Sequence, residues 1–243
     1  MQLSLPLCQS SLLTDVRERL LRVYGPQRDT ERHDPTSQLF KAMASSCTRD
    51  AVSQAAYERL HEKFAWEDLP VVTQEAVAAV IAAVTRPNEK AIQIVAAARI
   101  IRSQRGSVDL DFLVDWPTDA AFAWLDRLPG VGSKIAAAVL NFSSLRKPLL
   151  VVDRHILRVS KRLGLLPPKA DFDRGFRLLM RHVPAQWDAD HLYELHWLMK
   201  MHGQQICRHH QTACASCALA TLCPSSLSRQ RKQESGQPLL SVG

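Results

Sequence analysis

Leu128-Pro129-Gly130-Val131-Gly132-Ser133-Lys134 is the stretch around which the rest of the chain is read. A proline and two closely spaced glycines interrupt any regular element, and Gly130 and Gly132 permit positive φ and close approach by another backbone. Residues 117–127 before it start with Pro117, suited to a first helical turn, and place apolar residues at 121, 124, 125 and 128. Lys134 to Leu140 after it is alanine-rich and strongly helix-forming. The stretch therefore predicts a tight hairpin between two helices, with Ser133 capping the second. Amides at that helix start, bare of side chains, suit a phosphate oxygen. Lys134 falls in the first helical turn, where the helix dipole disfavours a cation. Two readings stand. Lys134 is a solvated residue that meets phosphate, or it is an amine whose pKa is lowered by the dipole and by burial, and so a nucleophile.

The chain has 243 residues, enough for one or two domains with a sizeable core. A formal charge of +7 and a pI of about 9.3 suit a polyanionic partner. No apolar run approaches a membrane span, and Met1 to Leu7 lacks the basic and long apolar regions of a signal peptide, so no membrane partner is expected. Six cysteines are present. Cys8 and Cys47 stand alone and are expected as free thiols; the other four fall between 207 and 223, a density that points to metal rather than disulfides.

Apolar spacing predicts helices over Asp15–Tyr24 (capped by Thr14, with Val16, Leu20 and Val23 on one face), Thr36–Ala44 and Asp50–Phe64. Another starts at Thr73, and Glu89–Gln104 follows with Ile92, Val95, Ala96 and Ile100 inward, ended by Gly106. After the hairpin pair, Pro148 to Val152 is extended and buried, and helices follow over Arg154–Leu163, Asp171–His182 and Asp188–Ile206. From Ser225 on, polar composition predicts disorder. No β alternation is visible. The expectation is an all-α protein of nine to eleven helices, whose abundant alanine and few aromatics allow close helix contacts.

Cys207, Cys214, Cys217 and Cys223 are spaced C-x6-C-x2-C-x5-C, four soft ligands within 17 residues. They suit zinc or an iron–sulfur cluster, although zinc ribbons usually show two C-x2-C pairs. The plainest expectation is a centre that folds the loop and does no redox chemistry. The intervening segment carries Arg208, His209 and His210, which a stapled loop can present to phosphate. Asp153 lies 19 positions after Lys134. It is an N-cap for the following helix, or a carboxylate brought back to the Lys134 amine that takes its proton and stabilises positive charge on a sugar.

Three motifs in this order carry a resemblance: 128–134, then Val151-Val152-Asp153-Arg154-His155-Ile156-Leu157-Arg158-Val159, then the cysteine run. Together they resemble the endonuclease III family of helix-hairpin-helix DNA glycosylases with a Gly/Pro-rich loop and a following aspartate. The likeness covers about Thr14 to Pro224. It implies a two-lobed all-α helix-hairpin-helix DNA glycosylase fold: a six-helix barrel over 35–147, and a lobe made of residues 1–34 with 148–225 that holds a [4Fe–4S] cluster on Cys207, Cys214, Cys217 and Cys223. Residues 226–243 are expected as a disordered tail. The resemblance further implies a cytoplasmic, nucleoid-associated bacterial enzyme that bends damaged double-stranded DNA across a cleft and turns the nucleotide out; a monomer is expected because no exposed heptad seam is visible in the sequence. Lys134 matches the family's catalytic lysine and Asp153 its catalytic aspartate. Lys134 would attack C1′, expel an oxidised pyrimidine and nick the strand by β-elimination. Gly130, Val131, Gly132, Ser133, Cys47, Arg86, Arg154, His155 and Arg208 are the expected DNA contacts.

Two positions depart from that pattern. Cys47 stands where the family carries a gap-filling glutamine, and Arg86 where it offers a leucine wedge. Cysteine is shorter and a poorer hydrogen-bonding group, and arginine is costly as an apolar wedge. Three functions therefore stand as expectations: a bifunctional glycosylase and abasic-site lyase for oxidised pyrimidines, a variant specialised for abasic sites or mismatches, and a non-catalytic DNA-binding protein.

Overall fold

The structure is a computed structural model that describes residues 6–28 and 32–228, with side chains described from residue 11 onward. Cys8 lies outside the described side chains. Among the described residues ten α-helices and four short 3-10 turns occur and no strand, so the chain is all-helical as expected. It divides into two compact units, residues 29–149 and residues 1–28 with 150–243.

The unit of residues 29–149 carries α2 (Pro35–Ser45), α3 (Asp50–Lys63), α4 (Gln74–Val80), α5 (Pro87–Arg105), α6 (Thr118–Leu125) and α7 (Ser133–Phe142). Asp34 caps α2 by accepting from the Ser37 amide, with Pro35 filling the first turn. Thr73 caps α4 in the same way, accepting from the Ala76 amide. Leu39 and Phe40 of α2, Ile94 and Ala98 of α5, and Ala136, Val139 and Leu140 of α7 are fully buried. Alanines on α7 let it lie close against α2. The inward stripe of α5 differs from the sequence expectation. Ala91, Ile94, Val95, Ala98 and Ile101 face in, whereas Ile92 is 49% exposed and Ala96 and Ile100 are only half-buried. Apolar residues occur on several sides of this helix, so spacing alone admits two faces, and packing on α2 and α4 selects one.

The other unit holds α1 (Pro6–Tyr24), α8 (Arg154–Arg162), α9 (Phe172–Met180) and α10 (Ala189–Gln205), followed by the cysteine loop. The first helix begins well before Thr14, which is an interior residue rather than a cap. Nothing from 9 to 13 breaks a helix, and Leu13 is buried in register with Val16 and Leu20. Continuing that stripe by four residues reaches Tyr24, whose hydroxyl stands 3.4 Å from His202 Nδ1; Val23 turns out to 57% exposure instead. Arg17 pairs with Glu194 and fastens α1 to α10. The tail expectation is corrected at its start: residues 224–228 form a helical turn, in which Ser226 is buried and its amide donates to Cys223 O at 2.9 Å. The remainder of that tail lies outside the described residues.

Candidate active site and cysteine pocket

In the hairpin between α6 and α7, the Val131 amide donates to Leu128 O at 3.0 Å, closing a turn with Pro129 second and Gly130 third. Gly130 has φ +77, so the pattern is that of a type II turn, which requires a left-handed third residue. A Cβ at Gly130 would stand 2.6 Å from Gln93 Oε1 of α5, so the site also has no room for one. Gly132 differs. Its φ is −111, and a Cβ there would meet nothing within 4 Å. The N-cap of α7 is Gly132 and not Ser133, which is the first helical residue and is buried. An extended glycine at the cap, with open space where its Cβ would stand, leaves no side chain over the start of α7, and the Ile135 and Ala136 amides donate to Gly132 O at 2.9 and 3.0 Å. Val131 buries its side chain, so only its backbone is presented. Lys134, half-buried, follows on the first turn.

Beside the hairpin lie the two loops singled out for their departures. Cys47, an exposed free thiol, and Arg86, which pairs with Glu89 at 3.1 Å, both adopt φ 56. The loops are joined: the Thr85 amide donates to Thr48 Oγ1 at 3.1 Å, and Thr85 Oγ1 donates to Cys47 O at 3.0 Å. Beneath them Lys90 is buried at 6% exposure, and burial pushes its amine down to about 8, with Arg86 and Lys134 adding to the fall while Cys47 and Glu89 oppose it. Sequence reading missed Lys90. Its place one turn before Ile94 on the inward face of α5 was the available signal.

The expected extended run is buried from Leu149 to Val152 while Pro148 is exposed; its part in the other unit, Leu150 to Val152, has Val151 O held 2.8 Å from His196 Nδ1 of α10. That segment delivers Asp153, 7% exposed, to the start of α8. Asp153 caps the helix: one oxygen, Oδ1, accepts from both the His155 amide at 2.8 Å and the Ile156 amide at 2.9 Å. His155 sits half-buried with Nδ1 3.2 Å from Arg158 Nη2, and burial lowers its pKa. Arg154 is exposed beside it. Lys134 and Asp153 thus belong to different units.

Two arginines one turn apart on α8 reach the cysteine loop. Arg158 donates to Cys207 O at 2.9 Å and Gly203 O at 2.7 Å; Arg162 donates to Cys207 Sγ at 3.1 Å, Arg208 O at 2.7 Å and His209 O at 3.0 Å. Gly203 makes this approach possible, because a Cβ there would stand 2.8 Å from His155 Cβ. Arg208 itself is exposed and donates to Gln204 O at 3.1 Å. Cys207, Cys214, Cys217 and Cys223 line one pocket together with Val159, Leu163, Ile206 and Leu219. Among the described residues no three His, Cys, Asp or Glu side chains converge closely enough to hold a single metal ion. Burial, with the neighbouring cysteines adding to it, raises the Cys217 and Cys223 thiols.

A glycine hairpin between two helices, followed by an aspartate at a helix start, defines a class, and a family comparison gives the same class. Residues 40–184 match the HhH-GPD superfamily base excision DNA repair protein model, and the chain belongs to that superfamily. Within it, the resemblance to the endonuclease III family read from the motifs is borne out. The chain is 35% identical to Escherichia coli endonuclease III over 137 residues, which is 56% of this chain and 57% of that protein, little more than half its length. It is 28% identical to Thermotoga maritima endonuclease III over 198 residues, covering 81% of this chain and 85% of that one. A solved structure of a trapped endonuclease III–DNA covalent intermediate superposes with a TM-score of 0.75 at 24% identity, over 91% of this chain and 99% of that one, which shows the shared fold.

Proposed function

We propose that the protein is a base excision repair enzyme: a DNA glycosylase and abasic-site lyase that acts as a monomer on damaged double-stranded DNA. The observation that carries this reading is the hairpin. Gly132 is demanded neither by its φ nor by its packing, it leaves no side chain over the start of α7, and a lysine follows in the first turn. An approaching phosphate backbone accounts for all three features. Membership in a base excision repair superfamily supports the same conclusion.

In this reading Lys134 Nζ attacks C1′ of the extruded nucleotide. The C1′–N bond to the base breaks and the base leaves with the electron pair and a proton; the C1′–O4′ bond then opens, O4′ takes up a proton as a hydroxyl, and the amine remains bound to C1′ as a Schiff base. Loss of a C2′ proton then expels the 3′ oxygen with its phosphate. The Asp153 carboxylate stabilises the developing positive charge and accepts a proton from the amine. Oxidised pyrimidines are the proposed substrates. The Cys47 and Arg86 tips favour, as a second reading, a preference for abasic sites or mismatches.

Cys207, Cys214, Cys217 and Cys223 would hold a [4Fe–4S] cluster. Four thiols lining one pocket, with a single C-x2-C pair where zinc ribbons usually show two, fit an iron–sulfur centre. When bound, the cluster supplies charge that keeps buried thiolates ionised and closes the loop. Equal iron and sulfide content with no zinc is the expected analysis; stoichiometric zinc overturns the assignment.

Borohydride reduction of wild type mixed with abasic DNA is expected to trap a covalent adduct, and Lys134→Gln to trap none. A wild type with full iron content and no adduct overturns the lyase reading. If Lys134→Gln leaves every activity unchanged, the protein is a DNA-binding protein only. A panel of duplexes with thymine glycol, uracil, mismatches and abasic sites separates the two substrate readings.

A further inference from the structure

Lys90 has an ammonium with three hydrogens and finds three acceptors: Ala44 O at 2.7 Å, Ser46 O at 2.6 Å and Thr48 Oγ1 at 3.0 Å. All three lie in the segment that ends α2 and carries Cys47. The side chain comes from the first turn of α5, immediately after Arg86, so one buried lysine spans both loops. Thr48 Oγ1 also accepts from the Thr85 amide, and Thr85 Oγ1 returns a bond to Cys47 O. The result is a closed ring of hydrogen bonds with Lys90 at its base. Among the described residues only three non-glycine positions have positive φ: Cys47, Arg86 and Arg146. Two of the three are therefore the tips of this ring. Non-glycine residues hold that conformation only where their surroundings impose it, and such residues cluster at functional sites.

The geometry points to Lys90 as the positioning residue that fuses the Cys47 turn and the Arg86 turn into one rigid, two-tipped element for entering the base stack, an inference that rests on the repair reading above. An element that must occupy the gap left by an extruded nucleotide works only if it is formed beforehand, because ordering it on binding would be subtracted from the binding free energy. A flexible point charge with three donors suits this place; methionine fills the same volume and bonds none of the acceptors. The groups facing Lys90 are Cys47 from the α2–α3 turn, Arg86 and Glu89 from its own element, and Lys134 from α7.

The test uses a duplex with 2-aminopurine opposite a tetrahydrofuran abasic-site analogue, whose fluorescence rises when the opposite base is unstacked. Wild type at saturation is expected to brighten it. Lys90→Met cuts the rise at least fivefold, and Lys90→Arg, which keeps a cation but cannot meet all three acceptors, cuts it less. Thr85→Val, at an exposed position, leaves the buried bonds in place and cuts it about twofold, which keeps the test open should Lys90→Met fail to fold. The rise in wild type falls with a midpoint near pH 8, and the midpoint moves upward in Lys134→Gln, which removes a neighbouring positive charge. Brightening by Lys90→Met equal to wild type, with no pH dependence in wild type, overturns the role of Lys90 and leaves the repair reading standing. No brightening by wild type overturns the repair reading itself.

Discussion

The two glycines of the hairpin look alike in the sequence and differ in kind. Gly130→Ala must place a Cβ at φ +77 and within 2.8 Å of Gln93 atoms, so it is expected to destabilise by about 1–3 kcal/mol, read as a lower melting temperature. Gln93→Ala should restore only a small part of that loss, since it removes the Oε1 and Cδ contacts at 2.6 and 2.7 Å but keeps the Cβ at 2.8 Å and the backbone strain. Gly132→Ala meets neither obstacle and should melt like wild type within about 0.5 kcal/mol, while weakening DNA binding. Lys90 carries a pH signature in stability as well. Its native pKa of about 8 lies below the 10.5 of an unfolded lysine. Between those values the unfolded chain holds a proton that the native protein has released, so its contribution to stability rises with pH across that window, by at most about 3 kcal/mol. Hydrogen bonds to the charged form reduce the amount. Denaturant unfolding of Lys90→Met from pH 8 to 10.5 should lack this rise.

α8 shows how one short helix serves two ends. Its first residue is capped by Asp153, and its last turn grips the cysteine loop through Arg158 and Arg162. Both the cap reading and the catalytic reading of Asp153 apply to a single carboxylate, and substitution separates them. Asparagine caps about as well as aspartate, so Asp153→Asn should keep the melting temperature and slow borohydride trapping by more than tenfold. Asp153→Ala should lose about 1 kcal/mol in addition. Slowing by alanine alone would assign the residue to the cap only. Arg162→Ala removes donors to Cys207 Sγ and to three loop carbonyls and is expected to lower iron content per chain.

At the scale of the whole molecule, patterning sets the fold class, and the basic charge is what the proposed polyanionic partner would meet. If the +7 chain contacts phosphates as proposed, its affinity falls steeply with salt, and Arg208→Ala should reduce the slope of log K against log salt by about one. No described helix is long and apolar enough to cross a membrane. The all-helical fold, the hairpin and the cysteine spacing were legible because each is written in neighbouring residues: helical period, Pro-Gly turn chemistry and short ligand intervals. Local pattern also carried the approximate position of nearly every helix. It failed where several local solutions were equally good. The start of α1 was misplaced because a capping threonine looks the same inside a helix and at its end. The inward face of α5 was misplaced because apolar residues lie on more than one side.

By itself the sequence determined the helical class, the superfamily, the turn that presents Lys134 and the four thiols destined for one pocket, since local backbone preference and spacing suffice for these. Only the tertiary structure decided that Lys90 lies buried beneath the Cys47 and Arg86 turns, that both turns are held left-handed, and that α8 is clamped to the cysteine loop. Each of these depends on a side chain whose partners lie some 40 residues or more away in the chain. Such pairings are set by how helices pack and by the cost of leaving a buried donor unmet, not by anything adjacent in the chain.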